Sequence, residues 1–138
     1  MKDTKKESRV VYQVIDWKLY YENAKSRTIN NPNWIAMPNK QDGLSYRRMV
    51  LKHPEFYAVF VGILLACSKQ NPIDGKGKRH DRDGWLTADG LPDGEPWDAV
   101  DISLKTGISE SLISEALPYL CGSKIGWLRT SKQFTSSL

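Results

Sequence analysis

The amino-acid sequence predicts an α+β fold that is mainly helical, with a small sheet and additional helices towards the N-terminus. Three observations predict it. Residues 101–129, DISLKTGISESLISEALPYLCGSKIGWLR, read as a helix, a tight turn at Gly107, a second helix and a short strand. The run from Phe56 to Cys67 is apolar on nearly every face, which suits one central, buried helix. Gly84-Trp85-Leu86-Thr87 interrupts a stretch rich in glycine, proline and aspartate, and is the best candidate for the first strand of the sheet. A chain of 138 residues, 40% of them hydrophobic, can build one domain with a modest core.

In chain order, the first residues are polar and charged and are expected to fray, and residues 10–17 alternate loosely enough for a short strand. Residues 16–27 then predict a short helix, with Trp17, Tyr20, Tyr21 and Ala24 available for packing. Residues 29–34 form an irregular linker, because Pro32 and the repeated asparagines disfavour helix, with Trp34, Ile35 and Met37 as its anchors to the core. A basic helix follows over residues 43–52. Pro54 fits the first turn of the apolar helix, which runs to about Lys69 with Phe56, Phe60, Ile63, Leu64 and Cys67 inside. Gly62 lets another element approach that helix closely.

Pro96 is expected to start the first helix of the helix-turn-helix, with Ile102 and Ser103 inward. Gly107 supplies a positive φ at the turn, and Ser109 is a good N-cap for the second helix. Ile108 packs directly after the turn, Ile113, Ala116, Leu117 and Leu120 recur at helical spacing on the second helix, and Pro118 disturbs its last turn. Gly122 is placed to close that helix in the left-handed conformation, before Ile125, Trp127 and Leu128 return as a strand. Helices, strand, helix, turn, helix and returning strand give the order of a winged helix-turn-helix with a small sheet as its wing. Residues 1–16 form an N-terminal arm or short strand and residues 17–138 the winged-helix domain, with the ending TSSL reading like the start of a linker in a longer protein.

Several function classes are disfavoured. The longest apolar run falls short of the roughly 20 residues of a membrane span, and the lysine-rich start lacks a following apolar region, so a soluble, cytoplasmic protein is expected. Cys67 and Cys121 are expected as buried free thiols. His53 precedes Pro54 as a plain helix boundary, and His80 lies in a basic loop. His80 with Asp74, Asp81 and Asp83 could be imagined around a metal, but the adjacent lysines and arginines oppose a divalent cation. GKGKR lacks the lysine-serine/threonine ending of a P-loop. No enzyme activity, cofactor or metal is expected.

The net charge of +4 suits a polyanion as partner, and its distribution matters more than its size. Basic residues cluster at Lys2, Lys5, Lys6 and Arg9, at Arg47, Arg48 and Lys52, and in the loop GKGKRHDR of residues 75–82. On a DNA-reading helix the exposed first turns should offer arginine, lysine or amide side chains, yet this one offers Glu110, Ser111, Ser114 and Glu115. The expected DNA contacts therefore shift to Lys76, Lys78, Arg79 and Arg82 of the loop, to Lys105, and to Lys124, Arg129 and Lys132 around the wing. Ser111 and Ser114 remain as hydroxyl donors to phosphate, and Trp85 is the tryptophan best placed to stack on a base.

Trp17, residues 21–27 (YENAKSR), 34–48 (WIAMPNKQDGLSYRR), 60–69 (FVGILLACSK) and 104–120 (LKTGISESLISEALPYL), followed by IGWL at 125–128, together resemble the N-terminal winged-helix region of phage-type replication initiator and replisome organizer proteins. The chain departs from many relatives at Asp74-Gly75, where they carry arginine-glycine. The resemblance implies a non-catalytic DNA-binding role in phage or mobile-element replication, with duplex DNA as ligand and replication proteins or a second copy of the chain as partners. The alternative expectation is a winged helix used for protein interaction or dimerisation, with its acidic second helix as the contact face.

Overall fold

The computed structural model describes residues 6–30, 32, 34–37 and 43–136. Lys2 and Lys5 of the basic start, Asn31 and Asn33 of the linker and the last two residues of the TSSL ending lie outside the described residues. The architecture is α+β and mostly helical: β1 (Lys6–Val14), α1 (Trp17–Tyr20), α2 (Leu44–Lys52), α3 (Pro54–Ser68), α4 (Ala99–Thr106), α5 (Glu110–Cys121) and β2 (Leu128–Ser136). No single helix among the described residues is long and apolar enough to cross a membrane.

The apolar sequence of α3 is matched by its position, with Phe56, Val59, Phe60, Ile63, Leu64 and Cys67 all buried where α3 packs against α2, α4 and α5. Burial pushes the Cys67 thiol far above its ordinary value, whereas Cys121, expected to be buried, is only half-buried. Gly62 explains how α4 and α5 come so close. A Cβ there would lie 3.1 Å from Ile108 Cδ1 and 3.3 Å from Thr106 Cβ, so the turn of the helix-turn-helix rests on this glycine.

The turn itself is as expected. Gly107 sits at φ 75°, and the Ser109 hydroxyl accepts the Leu112 N–H at 3.3 Å. The start of α4 differs, because the helix begins at Ala99 rather than at Pro96. Asp98 decides this by a reciprocal cap: its carboxylate accepts the Asp101 N–H at 2.9 Å while the Asp101 carboxylate accepts the Asp98 N–H at 3.1 Å. Asp98→Ala is expected to lower stability by about 1 kcal/mol, read as a drop in urea midpoint with an unchanged slope. At the other end, α5 runs past Pro118 to Cys121, and Gly122 is extended at φ −65°. The left-handed residue is Gly126, at φ 65°, which sends the chain into β2 at Leu128 rather than at Ile125.

The sheet departs further from expectation. The first strand of the sheet is β1 rather than Gly84–Thr87, and its partner is β2. The two pair antiparallel, in the register Val14↔Leu128, Tyr12↔Thr130 and Val10↔Lys132. The other edge of β1 takes the Gly84–Thr87 segment, with the Val14 N–H donating to the Gly84 carbonyl at 2.8 Å and the Leu86 N–H to the Tyr12 carbonyl at 2.9 Å. Of the two expectations for the N-terminal segment, arm or short strand, it is the strand, with Val11 and Val14 buried. It ends at Val14, short of Trp17, because Asp16 turns the chain at φ 56°.

The helix expected over residues 16–27 breaks after Tyr20 and resumes only as a short 3₁₀ turn at Ser26–Thr28. Asn23 accounts for the break: its side chain accepts the Ser26 N–H at 2.7 Å, a local bond that competes with helix. Trp17 and Tyr21 are buried as expected, while Ala24 is exposed. Of the three linker anchors, Ile35 packs on the core, but Trp34 and Met37 are largely exposed.

Candidate nucleic-acid interface

The faces of the sheet separate the cationic residues. In a strand, successive side chains alternate, so Arg129 opposite Gln13 and Lys132 opposite Val10 point to opposite sides of the β1–β2 ribbon. The two wing residues expected to act together thus belong to two different surfaces.

On one side, a groove of about 440 Å³ runs between α5 and the ribbon, lined by Val10, Tyr12, Trp97, Ser114, Leu117 and Arg9 among others. Exposed Lys132 stands at its β edge, paired across from Val10. Exposed Lys105, in the last turn of α4, holds its Nζ 5.7 Å from the centre of the Trp97 ring. Ser111, one turn before Ser114, is exposed on the same helix, together with Glu110 and Glu115. Arg9 is partly neutralised, donating to Glu95 at 2.8 Å and to Gln133 at 2.9 Å. Of the expected contacts Ser114 lines this groove, Lys105 and Lys132 border it beside Trp97 and Val10, and Ser111 lies outside its lining.

On the other side lies a second group. Arg129 donates from Nε to the Gln13 side chain at 2.6 Å and places its guanidinium 5.6 Å from the centre of the Trp85 ring. The face of Trp85 expected to stack on a base is thereby covered by an arginine. Lys18 and Arg79 flank the same hollow, around Asp83. Burial pushes the Asp83 carboxyl above its ordinary value, although Lys18, Arg129 and Arg27 oppose the shift. Lys18 is hard to find from sequence because it sits in an aromatic segment, far along the chain from the basic loop.

The basic loop is a built turn. The Asp74 carboxylate accepts the N–H groups of Lys76 and Lys78, each at 2.9 Å, and lies 2.9 Å from His80 Nε2. His80 and these two amides hold the Asp74 carboxyl down to about 2, so it stays charged and occupied within the turn. Lys76 and Lys78 are left exposed at the tip. Arg79 is half-buried and strapped across the chain, bonded to the Arg27 carbonyl at 2.7 Å and to the side chains of Asn30 and Asn71.

Arg82 is a correction to the expected contacts: it has no exposed surface. Its guanidinium donates to both carboxylate oxygens of buried Glu22, at 2.9 and 2.7 Å, and to the carbonyls of Gln70 and Ser26. A guanidinium so enclosed cannot reach a phosphate. Lys124 is exposed in the turn after α5, where its carbonyl accepts the Ser45 hydroxyl at 3.1 Å and ties that turn to the start of α2.

No protein-family model, curated protein or solved structure matches the chain.

Proposed function

We propose that the chain is a non-catalytic DNA-binding domain of winged-helix type, in which the strand that completes the wing comes from the N-terminus. The observation that carries this reading is the groove between α5 and the β1–β2 ribbon, bordered by Lys105 and Lys132 and faced by Ser114. In this arrangement α5 and the ribbon straddle the duplex. The lysines take phosphates on either side, the serines donate to phosphate oxygens, and Glu110 and Glu115 keep α5 from close contact with the backbone. Lys76, Lys78 and Lys124 add longer-range attraction. A setting in phage or mobile-element DNA replication, with replication proteins as further partners, rests on the sequence resemblance and the order of elements.

Fluorescence anisotropy with a labelled duplex tests this. Binding is expected to weaken about threefold to fourfold per phosphate contact between about 50 and 200 mM salt, and Lys105→Ala/Lys132→Ala should reduce the slope of log affinity against log salt by about 2. Absence of binding to any duplex or single strand at the lower salt would overturn the proposal.

One observation favours a second reading, a protein-contact or dimerisation module. Val100 and Leu104, one turn apart on α4, are 46% and 79% exposed on the same helix-turn-helix that presents the acidic start of α5. Under that reading the lysine pair is silent, and Leu104→Lys abolishes association.

A further inference from the structure

Away from the groove, where α1, α2 and α3 meet the turn before β2, lies a cavity of about 310 Å³. Its size falls within the range of small-ligand sites. Tyr46, Tyr57, Phe60 and Trp127 contribute much of its wall as a continuous run of rings. Tyr46 meets Tyr57 edge-to-face at 5.5 Å, Tyr57 meets Trp127 at 6.2 Å, and Trp127 meets Phe60 at 4.8 Å. Gly126, in the left-handed conformation, turns the chain so that Trp127 can join this wall.

Among the described residues the charged group in the wall is Asp16, an exposed residue that also borders the neighbouring hollow with Lys18 and Arg129. Its carboxylate precedes α1 but does not cap it, and among the described residues it has no hydrogen bond or ion pair. Asp16 is also the one non-glycine residue at positive φ among the described residues, a conformation that aspartate tolerates better than most side chains. No lysine or arginine among the described residues lines the cavity. In a chain of net charge +4, this hollow combines a carboxylate with several aromatic rings.

We propose that the cavity binds an organic cation, an alkylammonium or guanidinium group whose carbon substituents lie against the rings while Asp16 balances its charge. Ring faces attract such cations at centroid distances up to about 6 Å, and a carboxylate beside them adds attraction that a neutral ligand of equal size does not feel. A phosphate-bearing ligand is disfavoured because its charge would meet Asp16. The same head group occurs on free amines and at the tips of lysine or arginine side chains of a protein partner.

The test is a ¹H–¹⁵N correlation titration of the whole chain at fixed ionic strength, with tetramethylammonium chloride, a trimethyllysine-containing tripeptide and the neutral isostere neopentyl alcohol. Saturable shifts at Gly126 and at the Trp127 indole N–H are expected for the cations, with the neutral isostere at least about tenfold weaker. Asp16→Asn should lower cation affinity about fivefold and Tyr57→Leu about tenfold, while both variants keep wild-type duplex affinity. Asparagine tolerates the left-handed backbone, so Asp16→Asn remains informative if Tyr57→Leu fails to fold. A peptide binding at least about tenfold tighter than tetramethylammonium identifies a protein side chain as the source, and weaker peptide binding a free amine. No saturable shift with any cation, equal binding of the isostere, or an unchanged affinity in Asp16→Asn would each overturn the proposal.

Discussion

Arg82→Ala is expected to cost about 3–5 kcal/mol, a large share of the stability of a domain this size. Glu22 is 5% exposed and Arg82 has no exposed surface, so neither charge has water to fall back on. The pair is held by two guanidinium bonds, by the Trp17 indole N–H donating to Glu22 at 2.6 Å, and by the Ser26 hydroxyl at 3.1 Å. Removing the guanidinium leaves a buried carboxylate with two neutral donors. It also unties the Gln70 and Ser26 carbonyls, so the connections after α1 and after α3 loosen together. Replacing both partners, as Glu22→Leu/Arg82→Met, should cost much less than Arg82→Ala alone, because no unpaired charge remains.

The pair also gives stability a pH dependence. Burial alone would raise the Glu22 carboxyl, but the bonds from Arg82, Trp17 and Ser26 outweigh it and hold the group below its usual range. A carboxyl depressed in the folded state contributes stability that is fully present above its unfolded value of about 4.3, and that is lost as pH falls through the folded value. Urea midpoints measured from neutral pH downwards should therefore fall less steeply in the double variant than in the wild type. Equal acid sensitivity, or an Arg82→Ala cost under about 1 kcal/mol, would contradict the role of the pair.

Gly84→Ala is the second large effect, at about 2–5 kcal/mol. Gly84 lies at φ 76°, and a Cβ would come within 2.9 Å of both the Val14 carbonyl oxygen and Val14 Cβ, and 3.2 Å of Trp17 Cβ. The left-handed conformation alone costs about 1–2 kcal/mol for a residue with a side chain, and overpacking adds about 1–3. Relief by movement is blocked, since the Gly84 carbonyl accepts the Val14 N–H at 2.8 Å and Val14 is itself buried in the core. Gly75→Ala serves as the control, because nothing lies within 4 Å of a Cβ there and its φ is ordinary. Thermal unfolding should separate the two by several degrees, with Gly75→Ala near wild type.

These two residues also mark what the sequence made legible. The helix-turn-helix could be read because its signals are local: Gly107 at the turn, Ser109 as cap, and Ile113, Ala116, Leu117 and Leu120 at helical spacing. The apolar α3 announced its burial by having no polar face. Arg82 could not be placed this way, because its partner Glu22 lies 60 residues away and its neighbours GKGKRHD look like one solvated loop. A carboxylate set among Trp17, Tyr20 and Tyr21 was the available hint, since such a group must find a cation or stay exposed.

The sheet hid for the same reason. Nothing local in Lys6–Val14 says that it pairs with Leu128–Ser136, and without that register the opposite facing of Arg129 and Lys132 does not follow. Once the register is known, the groove beside α5 and the hollow around Asp83 separate, and the expected contacts divide between them.

The most direct measurement of the central proposal is a ¹⁵N chemical-shift map of the chain with a short duplex at low salt. Duplex binding in the groove predicts shifts concentrated at Lys105, Ser111, Ser114 and Lys132, with smaller ones at Lys76 and Lys78, all fading as salt rises. No shifts on adding duplex, or salt-insensitive shifts confined to Val100 and Leu104, would contradict it.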